Sequence, residues 1–170
     1  MHIFLTGGIQ VGKTTLIKKY LSQSGNAADG FMTYWEPTGN GGRSLYLSPF
    51  STDAHSVSRL HIAYDCESGL VPEEGMTDVF DVHGTEILNA SGRRGVIVMD
   101  ELGFLESKAA VFQQAVLRHI SGSVPILGVI KPIKTKFLDV IRSHPGVVVR
   151  EITPDNRDAA LDWLLAGSGS

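Results

Sequence analysis

Gly7-Gly8-Ile9-Gln10-Val11-Gly12-Lys13-Thr14, followed by Thr15, has the spacing of a P-loop: glycine, four residues, then Gly-Lys-Ser/Thr. The pattern suits a phosphate because a glycine-rich turn lets successive backbone N–H groups converge on one anion, and the helix that follows adds its dipole. Lys13 then reaches β- and γ-oxygens, and the Thr14 hydroxyl ligates Mg²⁺. Gly7, Gly8, Ile9, Gln10, Val11, Gly12, Lys13, Thr14 and Thr15 are therefore the predicted nucleotide-binding residues. The flanks agree. His2-Ile3-Phe4-Leu5-Thr6 is a strand-like apolar run, and Leu16, Ile17, Tyr20 and Leu21 recur at helical spacing after the loop. A plain Gly-rich turn between strand and helix needs none of Gly12, Lys13 and Thr14.

Composition narrows the class. A chain of 170 residues with 42% hydrophobic and 19% charged residues is predicted to be one folded domain, over residues 1–166, with Gly167-Ser168-Gly169-Ser170 as a flexible tail. The net charge of -3 argues against nucleic acid or an anionic membrane as partner. No apolar run approaches membrane-spanning length. Cys66 is the single cysteine, which excludes an internal disulfide and a four-cysteine zinc site and fits a reducing cytoplasm. The six histidines lack a His-Glu-x-x-His spacing, and no Gly-x-Ser-x-Gly elbow of an acyl hydrolase occurs.

Further along, strands are predicted at 31–35 and 43–47, joined through Pro37, Gly39, Asn40, Gly41 and Gly42 as a β-hairpin outside the parallel core. A third strand is predicted at 59–64. Val79-Phe80-Asp81-Val82 reads as a strand leading into a helix at 84–90. Apolar strands at 95–99, 124–130 and 147–152 alternate with helices at 106–120, 136–142 and 155–165. Strands buried on both faces and alternating with helices predict an α/β fold with a mostly parallel sheet.

The second chemical element is Val96-Ile97-Val98-Met99-Asp100-Glu101, an apolar run ending in two carboxylates and having the form of a Walker B strand. Strand ends line ligand crevices in open α/β sheets. Asp100 is the predicted holder of Mg²⁺, and Glu101 the base that polarises the attacking water. The same acidic pair could instead begin the next helix, where negative charge favours the dipole.

Ile3-Phe4-Leu5-Thr6-Gly7, Thr14-Thr15-Leu16-Ile17, Asp29-Gly30-Phe31-Met32-Thr33 and Val98-Met99-Asp100-Glu101-Leu102-Gly103-Phe104-Leu105-Glu106 resemble the cancer-related or thermophile-type nucleoside-triphosphatase family. Ile126-Leu127-Gly128-Val129-Ile130, Ile141-Arg142 and Ile152-Thr153-Pro154-Asp155-Asn156-Arg157 are similar to it too, in the same order. The resemblance implies a small P-loop NTPase, a three-layer sandwich of RecA-like ASCE type, hydrolysing ATP, GTP and other nucleoside triphosphates with Mg²⁺. Two stretches depart from it. Gly8-Ile9-Gln10 replaces the family's Pro-Pro-Gly or Glu-Pro-Gly, and residues 48–76 have no counterpart.

An added cation stabilises a transferring phosphoryl group. Lys131, Lys134, Lys136 and Arg142 follow the 124–130 strand, and Arg142, which shares in the resemblance, is the candidate catalytic cation. Asn156 and Arg157 either approach the base or ribose, or cap the last helix. Aromatics Phe31, Tyr34 and Trp35 either stack a base or pack across strands. Two other functions use the same cradle: a phosphotransferase, with Asp53 or Asp65 facing an acceptor hydroxyl, and a nucleotide-dependent switch acting on a protein partner the sequence does not identify.

Overall fold

Phe4 and Leu5 point to opposite faces of β1 (His2–Thr6), and each is fully buried, which is why the middle of this strand, Ile3-Phe4-Leu5, is apolar. The computed structural model describes residues 1–39, 41–50, 59–66, 69–93 and 95–167. After β1 come α1 (Lys13–Ser24), β2 (Ala28–Pro37), β3 (Arg43–Pro49), β4 (Leu60–Cys66) and β5 (Gly69–Pro72). A continuous helical segment follows, made of α2 (Met76–Asp78), a π-helical stretch (Val79–Gly84) and α3 (Thr85–Ala90). Next are β6 (Val96–Leu102), a 3₁₀ turn (Leu105–Lys108), α4 (Ala110–Ile120), β7 (Ile126–Ile130), α5 (Lys136–Ser143), β8 (Val147–Glu151) and α6 (Arg157–Gly167).

The eight strands form one sheet in the order β5-β4-β3-β2-β6-β7-β1-β8. Strands β2, β6, β7, β1 and β8 run parallel, and β3, β4 and β5 extend the sheet antiparallel from β2. On one face α1 and α6 cover Leu5, Val98 and Val129, with Leu16, Ile17 and Leu164 supplied by the helices. On the other, α3, α4 and α5 cover Phe4, Phe31 and Met99 with Leu88, Phe112 and Ile141. The result is the three-layer α/β sandwich that the sequence implies. Phe112 meets Phe31 edge-on at 5.4 Å and Phe80 at 5.2 Å, contacts worth about 1 kcal/mol each beyond their burial.

Two predicted features are corrected, and one strand is added. The hairpin does not stand outside the parallel core, because β2 is one of the core strands: its first half pairs with β6, and Phe31 to Pro37 pair with β3. Val79-Phe80-Asp81-Val82 is helical rather than extended. Phe80 is buried while Val82 is 49% exposed, so the two do not share a face as alternate residues of a strand would, and Asp81 accepts the Phe112 N–H at 3.0 Å to cap α4. Strand β5 was not anticipated; Gly69-Leu70-Val71-Pro72 is too short for its periodicity to be read.

Asp29-Gly30 is explained by packing. Gly30 has φ +121°, and a Cβ there would lie 2.0 Å from the Val98 carbonyl oxygen, so only glycine lets β2 lie against β6. The Asp29 carboxylate accepts the N–H groups of Gly92 and Arg93 at 2.8 and 3.3 Å, tying down the loop that leads into β6.

Candidate active site

The loop from Gly7 to Gly12 joins β1 to α1 at the carboxyl end of the parallel strands. Gly7 has φ +127°, and a Cβ on it would sit 2.3 Å from the Ile152 oxygen, so the loop leaves the sheet through a gap that only glycine passes. Gly8, Ile9 and Gln10 are exposed, Ile9 by 87%. Gln10 takes φ +61°, the left-handed conformation, at the position where the resembled family has glycine. The first turn of α1 has no acidic residue and no side-chain cap, so its N–H groups are left for an anion.

Lys13 is buried at the base of the loop and donates from Nζ to the carbonyls of Gly7 at 3.0 Å and Gly8 at 2.6 Å. Burial lowers its pKa, while the nearby carboxylates of Glu101 and Asp100 oppose that shift.

Asp100 stands on β6, 2% exposed, with the Thr14 side chain hydrogen-bonded to its carboxylate. Burial pushes its pKa up to about 6, against the pull of that bond and of Lys13. Its Oδ2 is buried and has no partner. An unpaired buried carboxylate oxygen is costly, and a hard cation placed between Asp100 and Thr14 would complete it. These residues therefore fit Mg²⁺. No group of three or more His, Cys, Asp or Glu side chains among the described residues could hold a metal, so any ion here would rest on Asp100 and Thr14 with ligands from outside the chain.

Glu101 is partly exposed and makes an ion pair through Oε1 with Lys131 Nζ at 2.8 Å. Lys131 directly follows β7, the strand between β1 and β6. Behind the carboxylate pair, buried Glu106 accepts the Gly103 N–H, and its own carbonyl accepts from Gln113 Nε2 at 2.8 Å. Arg142 donates from Nη1 to Asp139 Oδ1 at 2.9 Å and from Nη2 to the Lys131 carbonyl at 2.7 Å.

Asn156 lies in the turn between β8 and α6. Its Oδ1 accepts the Thr153 N–H at 2.9 Å, and its own N–H donates to Thr153 Oγ1 at 3.3 Å. This is the reciprocal pattern of a capping box, with Pro154 in the first turn. Its Nδ2 donates to the Glu151 carbonyl at 3.0 Å. The next residue, Arg157, brings Cδ and Nη1 to within 3.3 Å of where a Gly12 Cβ would be, so its guanidinium lies against the phosphate loop. Of the two candidate acceptor-side residues, Asp65 is ion-paired with Arg43, and Asp53 lies outside the described residues, as do Asn40 and residues 168–170.

The model of the NTPase family matches residues 2–165, nearly the whole chain. The chain belongs to the NTPase family. Among curated relatives, the cancer-related nucleoside-triphosphatase of Homo sapiens is 34% identical over 190 residues, covering 96% of this chain and 94% of its own. The nucleoside-triphosphatase THEP1 of Thermotoga petrophila is 28% identical, covering 97% and 91%. Among solved structures, THEP1 from the hyperthermophile Aquifex aeolicus superposes with a TM-score of 0.76 at 25% identity, over 100% of both chains.

In this NTPase-family chain, two contacts of the cradle join candidate residues that sequence alone does not pair. Arg157 and Gly12 are 145 residues apart, and Lys131 and Glu101 are 30 apart. Lys131 is legible as a candidate cation from its place directly after an apolar strand, whereas Asp100 and Glu101 stand within the last three residues of β6.

Proposed function

We propose that the chain is a single-domain, Mg²⁺-dependent nucleoside-triphosphatase that converts ATP, GTP and related triphosphates to the diphosphate and phosphate in the cytoplasm. The observation that carries this reading is the buried, unpartnered Asp100 Oδ2 beside Thr14, one residue from the partly exposed Glu101. Loop amides from Gly8 to Thr15 bind the β-phosphate, and Lys13 leaves the Gly7 and Gly8 carbonyls for the β- and γ-oxygens. Thr14 and Asp100 hold the metal. When bound, the ion neutralises charge on the phosphates. Glu101 orients a water in line with the γ-phosphorus and takes its proton. Asn156 holds the turn that seats Arg157 against the loop, and Arg142 acts through the Lys131 backbone.

The contacts go to phosphates that all nucleoside triphosphates share, which supports broad base tolerance. The net charge of -3 supports a nucleotide rather than nucleic acid as ligand. No helix among the described residues is long and apolar enough to cross a membrane.

Phosphate release from ATP, GTP, CTP and UTP, with and without Mg²⁺, tests the reading in wild type, Lys13→Ala and Glu101→Gln. Metal-dependent release that falls at least about 100-fold in Glu101→Gln is the expected result. Unchanged turnover in that variant removes the assigned base. Phosphoryl transfer to an added metabolite pool far above hydrolysis replaces the reading by a kinase.

A further inference from the structure

Lys131 is held by more contacts than a surface lysine needs. Its N–H donates to the Leu102 carbonyl at 2.9 Å, and its carbonyl accepts Arg142 Nη2 at 2.7 Å. Its stem lies flat on Gly103: a Cβ there would come within 2.9 Å of Lys131 Cδ and 3.1 Å of Cε. The stem therefore has one direction, which ends on Glu101 Oε1 at 2.8 Å.

Stability does not account for this arrangement. Lys131 and Glu101 keep 33% and 26% of their side-chain surface in water, and a pair exposed to that degree contributes at most about 1 kcal/mol. Position accounts for it better. β7 lies between β1, which leads into the phosphate loop, and β6, which carries the carboxylates, so the first residue after β7 stands between the loop and the carboxylates. Arg142 has both of its terminal nitrogens engaged and contacts the Lys131 backbone.

We propose that Lys131 is a catalytic cation of this site, resting on Glu101 in the absence of nucleotide and turning to the γ-phosphate oxygens when a triphosphate enters. The proposal rests on the hydrolytic reading above. A phosphate bearing multiple negative charge attracts the ammonium more strongly than one carboxylate, so substrate itself frees Glu101 to accept a proton. Water then forms its bond to the γ-phosphorus as the bond to the β-bridging oxygen breaks, and the water proton goes to Glu101. Lys131 forms no covalent bond; it neutralises charge on the departing phosphoryl group. Arg142 is its positioning residue.

The test compares wild type, Lys131→Met, Lys131→Arg and Glu101→Gln by steady-state ATP hydrolysis with Mg²⁺, and by titration with ADP alone and with ADP plus tetrafluoroaluminate, which mimics the transferring phosphoryl group. Methionine retains the stem over Gly103 without the charge. The expected result for Lys131→Met is a kcat lower by about 100-fold, ADP affinity within about threefold of wild type, and loss of the extra affinity gained with fluoroaluminate. Lys131→Arg should recover at least a tenth of the wild-type kcat. A Lys131→Met enzyme with wild-type kcat and wild-type fluoroaluminate affinity overturns the proposal, and so does equal loss of ADP and fluoroaluminate binding. Failure of the hydrolytic reading is seen separately, as a wild-type rate that Glu101→Gln leaves unchanged.

Discussion

Glu106 accepts the backbone N–H of Gly103, so a buried carboxyl group fixes the turn immediately behind Asp100 and Glu101. Burial raises its pKa to about 7 from an ordinary value of 4.5. Since the folded state holds this proton more tightly than the unfolded chain, the group favours folding below about pH 4.5, and that contribution is lost as pH rises toward 7. Over the window it amounts to roughly 3 kcal/mol. Glu106→Gln keeps an acceptor for Gly103 without the charge. Urea denaturation of metal-free protein between pH 4.5 and 8 should show wild type losing stability relative to this variant as pH rises. Parallel pH profiles for the two proteins contradict it.

Gln10 adopts φ +61° in the phosphate loop, where glycine carries no Cβ penalty. Gln10→Gly should raise the unfolding free energy by about 1 kcal/mol with no loss of nucleotide affinity. Gln10→Val should do the opposite, because a β-branched side chain tolerates this conformation least. Denaturant midpoints and ADP titrations read both effects.

Gly30→Ala places a methyl 2.0 Å from the Val98 carbonyl oxygen, where β2 meets β6. A loss of roughly 3 kcal/mol or more is expected, seen as a collapse of the thermal transition, even though the site is two residues away from Met32, the register partner of Asp100. Native-like stability in this variant means that the two strands can separate without cost.

Asn156 and Arg157 are adjacent but should respond differently. Asn156→Ala breaks the reciprocal bonds with Thr153 and should cost about 1 kcal/mol of stability. Arg157→Met retains the bulk against Gly12 but removes the charge beside the loop. Triphosphate affinity should fall by about three- to tenfold at low salt, with a smaller effect at high salt, as ADP and ATP titrations at two ionic strengths would record.

Asp100→Asn leaves the Thr14 contact available but takes away the charge that suits a cation. Mg²⁺ stimulation of turnover should disappear, while metal-free ADP binding should stay within about threefold of wild type.

The parts of this protein that could be read from the sequence are those whose chemistry is contiguous. The loop from Gly7 to Thr15 and the run from Val96 to Glu101 each carry their meaning in a few adjacent residues, and the alternation of apolar strands with amphipathic helices fixes the layers around them. What escaped depends on the folded chain. The short apolar run Val79 to Val82 fits either period, and burial against Phe112 decides for the helix. Pairs such as Arg157 with Gly12, Lys131 with Glu101 and Asp81 with the Phe112 amide exist only once distant strands and helices have been brought together. Arg142 illustrates the same point: its place in the sequence marks it as a candidate cation, and its hydrogen bonds to Asp139 and to the backbone of Lys131 are visible only in the folded chain.

Because β2 is shared by the parallel core and the antiparallel extension, it sets an order of assembly. Its pairing with β3 closes over a short turn, while Ala28 finds its partner Val96 only 68 positions further along the chain. Hairpins form in about 1–10 μs, and long-range parallel pairing waits on a much larger loss of chain entropy. The outer half of β2 is thus expected to pair before the inner half has a neighbour. The Asp100 strand then docks onto a template made by a part of the molecule that touches no phosphate.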